Sequence, residues 1–420
     1  MFLKISGGGL SKFRDEFFFP IVGVSLTVAA LAGAAVLSLV QKKTGIPLAF
    51  DLHDIDRYFD SARWIIEGGR LYREVPSEYP LFANIIFATV RYLANFLHPG
   101  KTPFFVLWIA STWAVYLYAV YRVATGTTML VTLAWLAPAS IHFAVFRFDI
   151  YPAVATLMSL IAIRRTSYME GAIWLGVAAA LKGYALWLLP AYCVFMFYER
   201  GFTAAIKVGV LAVAPMILSL IATLTFAGWE GMIAPFGFHA LRTTNGESTY
   251  DAINSLFSLF SVPAISNGPD LRLIAQSLQV GCALTAAAMR PRSFDDLVNA
   301  FLFAVLGFMS FSIFYSPQFL LWILPLICFS RSRVMVISVI VYSWLTYLYF
   351  PIGLGLYFVF GRRGLLDVMV VAVSLLRLFM MALAIKGHLN GPEVRAIGRC
   401  GSGNVEPRKT PEIAALPTTG

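Results

Sequence analysis

Residues 203–226, TAAIKVGVLAVAPMILSLIATLTF, carry a single charged side chain, Lys207. A stretch so long and apolar meets the requirement for a membrane-spanning helix, roughly 20 residues of mostly hydrocarbon character. It is one of thirteen: similar segments lie near 18–40, 81–97, 103–122, 128–145, 150–163, 168–181, 185–198, 272–289, 297–313, 318–330, 334–349 and 365–386. With 59% hydrophobic and 13% charged residues and a mean hydropathy of +0.76, the chain reads as an all-α polytopic membrane protein. Several segments are short, so some are expected to be tilted or broken.

A net charge of +10 raises the question of nucleic acid, but the Lys and Arg residues sit in short loops and tails, where the positive-inside rule places them. No nucleic-acid role is expected. Cys193, Cys282, Cys328 and Cys400 show no CxxC spacing or His pairing, which predicts neither a disulfide framework nor a metal site. The first apolar segment runs into Gln41-Lys42-Lys43 with no small-residue cleavage motif and reads as a retained helix. Residues 1–386 are expected to form the membrane domain, and residues 387–420, rich in Gly, Pro and Thr, a disordered tail.

Basic residues orient the chain. Lys4, Lys12 and Arg14 favour a cytoplasmic N-terminus, and Lys386, Arg395, Arg399, Arg408 and Lys409 a cytoplasmic C-terminus. A multi-pass plasma-membrane protein with both ends inside needs an even number of crossings, about 12. One of the thirteen segments must then fail to cross; a partial helix is expected between 81 and 145, with 81–97 the first choice. On this map a first loop at 41–80 and a long loop at 227–271 face outside, together with FRFD at 146–149, LKGY at 181–184 and SPQ at 316–318.

The first outer loop crowds Asp51, Asp54, Asp56 and Asp60 into ten positions. From Asp54 onward, Ile55, Phe59, Ala62 and Ile66 recur at i, i+4, i+7 and i+11, the apolar stripe of a short amphipathic helix, which Gly68 and Gly69 end. Such a helix is expected to lie on the membrane surface, apolar side down, with its carboxylates above the bilayer. A solvated acidic loop that balances Arg57, Arg63, Arg70 and Arg73 is the alternative.

The pattern Asp54-x3-Tyr58-x3-Ala62, then Gly68-Gly69-x-Leu71-Tyr72, then Glu78-Tyr79-Pro80-Leu81 resembles the first outer loop of GT-C glycosyltransferases, in particular the branch of polyprenyl-phosphate-mannose-dependent mannosyltransferases. Three further stretches are similar to that branch and occur in the same order: Lys182 and Tyr184 ahead of Leu188-Leu189-Pro190; His239 and Arg242 followed by Glu247-Ser248; and Ser316-Pro317-Gln318 followed by Trp322, Leu324 and Pro325. The resemblance covers roughly residues 18–330 and departs from the pattern at Leu81, where many relatives have a second proline. It implies a GT-C-like bundle with an outer-face active site, Asp54 as catalytic base with Asp51 and Asp56 as alternates, and Tyr58, Tyr184 and Glu247 near sugar or acceptor.

The chemistry agrees with that implication. A lipid-phosphate sugar donor carries its own leaving group, so transfer to a hydroxyl needs one carboxylate to accept a proton and cations to steady the phosphate. Glycoside hydrolysis, in contrast, uses a carboxylate pair. One base and direct displacement invert the anomeric centre. Arg242, Lys182 and His239 are the candidate phosphate ligands, Arg through a fork and Lys as a point charge. The alternatives are a surface charge for Arg242, a snorkelling side chain for Lys182 and a packed loop residue for His239. Arg147 and Asp149 of FRFD are expected to pair with each other across two helix ends. Gln318 suits either a sugar hydroxyl or a helix cap. No cofactor is expected, although Asp54 and Asp56 form a DxD pair able to hold a divalent cation. Two other readings compete: a secondary transporter, against which stand the outward clustering of polar motifs and the lack of a visible inverted repeat, and a lipid-linked glycan polymerase or ligase.

Overall fold

The computed structural model describes residues 53–68, 71–74, 77–240, 242–354 and 364–390. Helices α1 (His53–Ile66), α2 (Leu81–Leu97), α3 (Lys101–Gly126), α4 (Met129–Trp135), α5 (Pro138–Phe146), α6 (Ile150–Arg164) and α7 (Tyr168–Leu181) come first. After a 3-10 turn, Gly183–Leu188, follow α8 (Leu189–Arg200), α9 (Phe202–Ala240), α10 (Thr249–Leu259), α11 (Pro269–Ala288) and α12 (Phe294–Phe311). A second 3-10 turn, Pro317–Phe319, leads into α13 (Leu320–Ile327), α14 (Arg333–Tyr347) and, after a π-helical segment, α15 (Gly364–Leu389). No strand occurs among the described residues, in keeping with an all-α membrane protein.

Twelve of the thirteen apolar segments coincide with these helices; the first, 18–40, lies outside the described residues. Among the described residues six helices are long and apolar enough to cross a membrane, and the bent pair α4–α5 makes a seventh if it counts as one span. The central one is α12, 72% of whose apolar window is buried; α9 is outermost at 28%. On α9, Leu218, Ile221 and Leu224 remain exposed, as expected where the solvent is lipid. Close approach replaces a hydrophobic drive between such helices: a Cβ at Gly176 of α7 would lie 2.5 Å from the Ala212 carbonyl oxygen of α9.

Segment 81–97, the first choice for a partial helix, is one helix of 17 residues and is shorter than the candidate spans, as expected, although it is unbroken. The break falls in 128–145, where α4 and α5 meet at 50°. Pro138 begins α5 and disfavours helical geometry in the residue before it. The interrupted ladder is satisfied internally, as it must be at membrane depth: Tyr116 Oη donates to Trp135 O at 2.7 Å and Ser140 Oγ to Ala134 O at 2.8 Å.

Helix α1 carries its expected stripe, but the stripe does not face lipid. Ile55, Phe59 and Ala62 are buried in a cluster with Phe87 of α2 and Phe104 and Trp108 of α3. The Arg91 guanidinium lies 3.8 Å from the Phe59 ring centroid, so the amphipathic face is consumed by protein packing. At the other end, α15 takes in residues 387–389 of the expected tail; residues 391–420 lie outside the described residues.

The short helices have a common cause. α2 begins at Leu81, α6 begins just after Asp149, α7 ends before Lys182, and α13 begins after Gln318. Leu81, Lys182 and Gln318 line one cavity, and Asp149 bonds to Lys182 behind it. Helix ends that would otherwise continue through the bilayer stop to build that space.

Candidate active site

The cavity has a volume of about 580 Å³. α1 and the Glu78–Leu81 stretch form one side, and Met216, Met232 and Phe236 of α9 form an apolar wall. Arg147, Lys182 and the Ser316–Phe319 turn complete it. All four sequence motifs therefore converge on one space.

Helix geometry selects among the acids. Residues two apart on a helix point to nearly opposite faces, so Asp54 and Asp56 cannot both face the cavity. Asp54 does, and its Oδ2 lies 2.6 Å from Arg147 Nη1. Asp56 turns outward to Lys101 Nζ at 2.7 Å, and Asp60 is exposed. The DxD pair is thus split between two faces, and no group of three or more His, Cys, Asp or Glu side chains suited to a metal gathers among the described residues. Asp51 lies outside the described residues.

The expected Arg147–Asp149 pair is not formed. Arg147 leaves α5 in extended backbone (φ −121°, ψ 149°), whereas Asp149 already has helical backbone (φ −60°, ψ −15°) at the start of α6, so the strand alternation that would keep both on one side is not maintained. Phe148 between them is buried in the α1–α2–α3 cluster. Arg147 reaches Asp54, while Asp149, fully buried, takes Lys182 Nζ at 2.8 Å and the Trp322 Nε1 hydrogen at 2.8 Å.

Lys182 lines the cavity, so the snorkelling alternative fails in its simple form: the side chain turns inward to a buried carboxylate. Arg242 is no plain surface charge either. Its guanidinium is bound to the Glu78 carboxylate and lies 3.8 Å from the Phe314 ring centroid. His239 Nε2 is 3.2 Å from Glu78 O. Gln318, 6% exposed, also lines the cavity. So does Glu247, whose Oε2 accepts a hydrogen bond from Asn245 Nδ2 at 3.2 Å. Burial raises the Glu247 carboxyl from 4.5 to about 7, the nearby charges of Arg147 and Arg377 opposing that rise without cancelling it.

Two expected contact residues stand behind the wall. Tyr58 is fully buried, stacked on Phe87 with centroids 4.4 Å apart, and its Oη accepts from Phe148 N at 3.3 Å. It therefore holds the turn that presents Arg147. Tyr184 is buried against Trp322, centroids 4.3 Å apart and planes 3° from parallel, with its Oη 2.7 Å from Thr156 Oγ1. It supports the indole that holds Asp149.

Three residues escaped the sequence reading as site components. Arg57 lines the cavity and reaches Glu78 at 3.5 Å; its i+3 spacing from Asp54 was the available signal. Glu78 anchors Arg242. Asn84, fully buried, donates to Tyr79 O at 2.8 Å while Tyr72 Oη also donates there at 2.6 Å, which fixes the Glu78-Tyr79-Pro80 stretch. Asn84 sits one turn into a hydrophobic helix, and that placement was its only mark.

Charges in and behind the cavity nearly cancel. Arg57, Arg147, Lys182 and Arg242 face Asp54, Glu78, Glu247 and, behind Lys182, Asp149. Protonation of Glu247 leaves one positive charge in excess, which suits a singly charged anion. The family model of glycosyltransferase family 87 matches residues 78–317, more than half of the chain. No curated protein matches it significantly.

Proposed function

The chain belongs to glycosyltransferase family 87, within the GT-C-like superfamily, and we propose that it moves a sugar, mannose by the resemblance of its motifs, from a polyprenyl-phosphate donor to a hydroxyl of a lipid, glycan or protein acceptor. The observation that carries this reading is the Asp54 carboxylate inside the cavity, held by Arg147 at 2.6 Å, with Arg57, Lys182 and Arg242 lining the same space.

Asp54 accepts the acceptor's hydroxyl proton as oxygen attacks the anomeric carbon, and the ion pair with Arg147 fixes the carboxylate's direction. The phosphate leaves toward Lys182 and Arg242, whose present partners, Asp149 and Glu78, hold those cations in place before donor arrives. Preorganised cations of this kind stabilise charge that develops in the transition state. Attack and departure on opposite faces invert the sugar. The apolar wall of Met216, Met232 and Phe236 is where a prenyl chain runs from the bilayer to the cavity. Gln318 bonds to sugar hydroxyls, and no cofactor takes part.

The site is assigned to the outer face of the plasma membrane, with both termini inside. With the native cysteines replaced, Cys introduced at Asp60 and at Thr243, both exposed, reacts with an impermeant thiol reagent in intact cells; labelling of only one position separates the loops and breaks the shared site.

Membranes supplied with radiolabelled polyprenyl-phosphate mannose test the activity itself. Wild-type protein yields a labelled lipid, glycan or protein product. Asp54→Asn keeps the fold and loses ~10²–10⁴-fold in turnover, the usual contribution of general-base catalysis, whereas Asp56→Asn and Asp60→Asn stay near wild type. A folded Asp54→Asn protein at full rate sinks the assignment of the base.

A further inference from the structure

A second cavity, of about 520 Å³, lies where α3, α6 and α13 end. The same three helices begin near the first cavity. Lys101 of α3 is paired with Asp56 of α1, α6 starts just after Asp149, and α13 follows Gln318 and Phe319. Gly126, Arg164 and Phe329, at or just past their far ends, line the second cavity. α6 alone, at 1.5 Å per residue, separates the two by about 22 Å. The cavities therefore open at opposite ends of one helical bundle.

The second cavity is strongly one-signed. Arg122, Arg164 and Arg165 line it and no carboxylate does. None of the three has an Asp or Glu partner among the described residues. Arg331, by contrast, is bound to Asp295 outside this cavity. The positive-inside tendency accounts for arginines near a membrane face, but not for their gathering around a cavity without a single acid.

The guanidiniums are also the charged donors of this cavity. Thr125 Oγ1 and Thr127 Oγ1 donate to Tyr121 O and Val123 O of their own helix, at 2.9 and 2.8 Å. The helix ends here are C-termini, which present carbonyls and repel anions. The arginine forks are the cations able to hold an anion in this place, and they match the oxygen pairs of a phosphate group. Aromatic rings support two of them: Arg164 lies 5.5 Å from the Phe329 centroid and Arg122 5.9 Å from that of Tyr118.

The surroundings name the source of the phosphate. Tyr118, Tyr121, Met129 and Leu133, along α3 and α4 beside the cavity, are 43–63% exposed, an apolar and aromatic surface of the kind that faces acyl chains and headgroups. We propose that this cavity holds the phosphate of an anionic membrane phospholipid in the leaflet opposite the candidate active site. The acyl chains lie along the exposed faces of α3 and α4.

The test uses the full-length protein in detergent and three probes: short-chain phosphatidylglycerol, phosphatidylcholine with the same chains, and inorganic phosphate, each titrated calorimetrically. Phosphatidylglycerol should bind saturably and at least tenfold more tightly than the other two. Arg122→Gln with Arg164→Gln should weaken it by about tenfold or more, the effect of losing a charge-assisted hydrogen bond. Arg331→Gln, and Arg242→Gln in the first cavity, should leave it unchanged. Equal binding of the two lipids, or an unaffected double variant, overturns the site. Inorganic phosphate binding as tightly as the lipid overturns the lipid assignment in favour of a free anion. If the double variant does not fold, the exposed Arg165→Gln variant and wild-type protein in ~0.5 M salt, where charges are screened beyond a few ångströms, must both lose the preference for phosphatidylglycerol.

Discussion

Arg147 Nη1 and Asp54 Oδ2 lie 2.6 Å apart, joining the end of α5 to the first turn of α1 across the cavity wall. The pair is mostly buried, with side-chain exposures of 5% and 19%, so the loss of one partner strands a charge. Arg147→Ala is expected to lower stability on the order of 3 kcal/mol and turnover by at least tenfold. Adding Asp54→Asn removes the stranded carboxylate and should recover stability without recovering activity. Thermal unfolding in detergent beside turnover in membranes separates the two effects.

Lys182 serves two masters, the buried Asp149 carboxylate and the open cavity. Lys182→Met should weaken donor binding by about tenfold or more, the range for hydrogen bonds to charged groups. Asp149→Asn frees the ammonium and should keep donor affinity while it lowers the melting temperature. Equal losses of affinity in both variants identify Lys182 as a pin for the α5–α6 turn and not a phosphate ligand.

Glu247 supplies a pH dependence. Its carboxyl is raised to about 7 by burial, so between about 4.5 and 7 the folded protein holds a proton that the unfolded chain has released. Stability from this group is therefore full below 4.5 and declines as pH rises through that window. Donor binding follows the same direction, because the ionised group adds a negative charge to the cavity: affinity should be severalfold higher at pH 6 than at pH 8. Glu247→Gln should flatten both profiles in a titration of binding and melting temperature.

The sequence made some of this legible and hid the rest for physical reasons. Apolar run lengths located the helices, and the heptad-like spacing of Ile55, Phe59 and Ala62 gave α1 its face, because both depend on local periodicity. What that face met was not local: Phe87, Phe104 and Trp108 come from two other helices. FRFD invited a pairing of near neighbours, yet the chain passes from extended backbone at Arg147 to helical backbone at Asp149, and the two charges meet partners from elsewhere in the chain. The break at Pro138 was marked by the proline, but hydropathy runs through it unaltered. The condition of Glu247 arises from what packs around it, which no spacing records.

Gly228 interrupts α9 with φ 72° and ψ −174°, a conformation open almost solely to glycine. Arg73 occupies the gap it leaves: Arg73 Nε donates to Ala227 O at 2.8 Å, and a Cβ on Gly228 would lie 2.9 Å from Arg73 Nη2. Gly228→Ala is expected to cost about 1–3 kcal/mol and to loosen the first loop. A lower melting temperature with faster proteolysis between Gly68 and Ser77 records this; an unchanged protein removes the clasp.

The same break gives α9 a relation to bilayer thickness. Unbroken, 39 residues extend about 58 Å, nearly twice a hydrocarbon core of roughly 30 Å. Divided at Gly228, the longer piece, Phe202–Ala227, answers a thinner or thicker membrane by changing its tilt. The shorter piece, bearing Met232, Phe236 and His239, is held at Glu78, whose carbonyl oxygen lies 3.2 Å from His239 Nε2, while Arg73 ties the end of the longer piece at Ala227. The break thereby divides the apolar wall in two: Met216 follows the tilt of the longer piece, and Met232 and Phe236 do not.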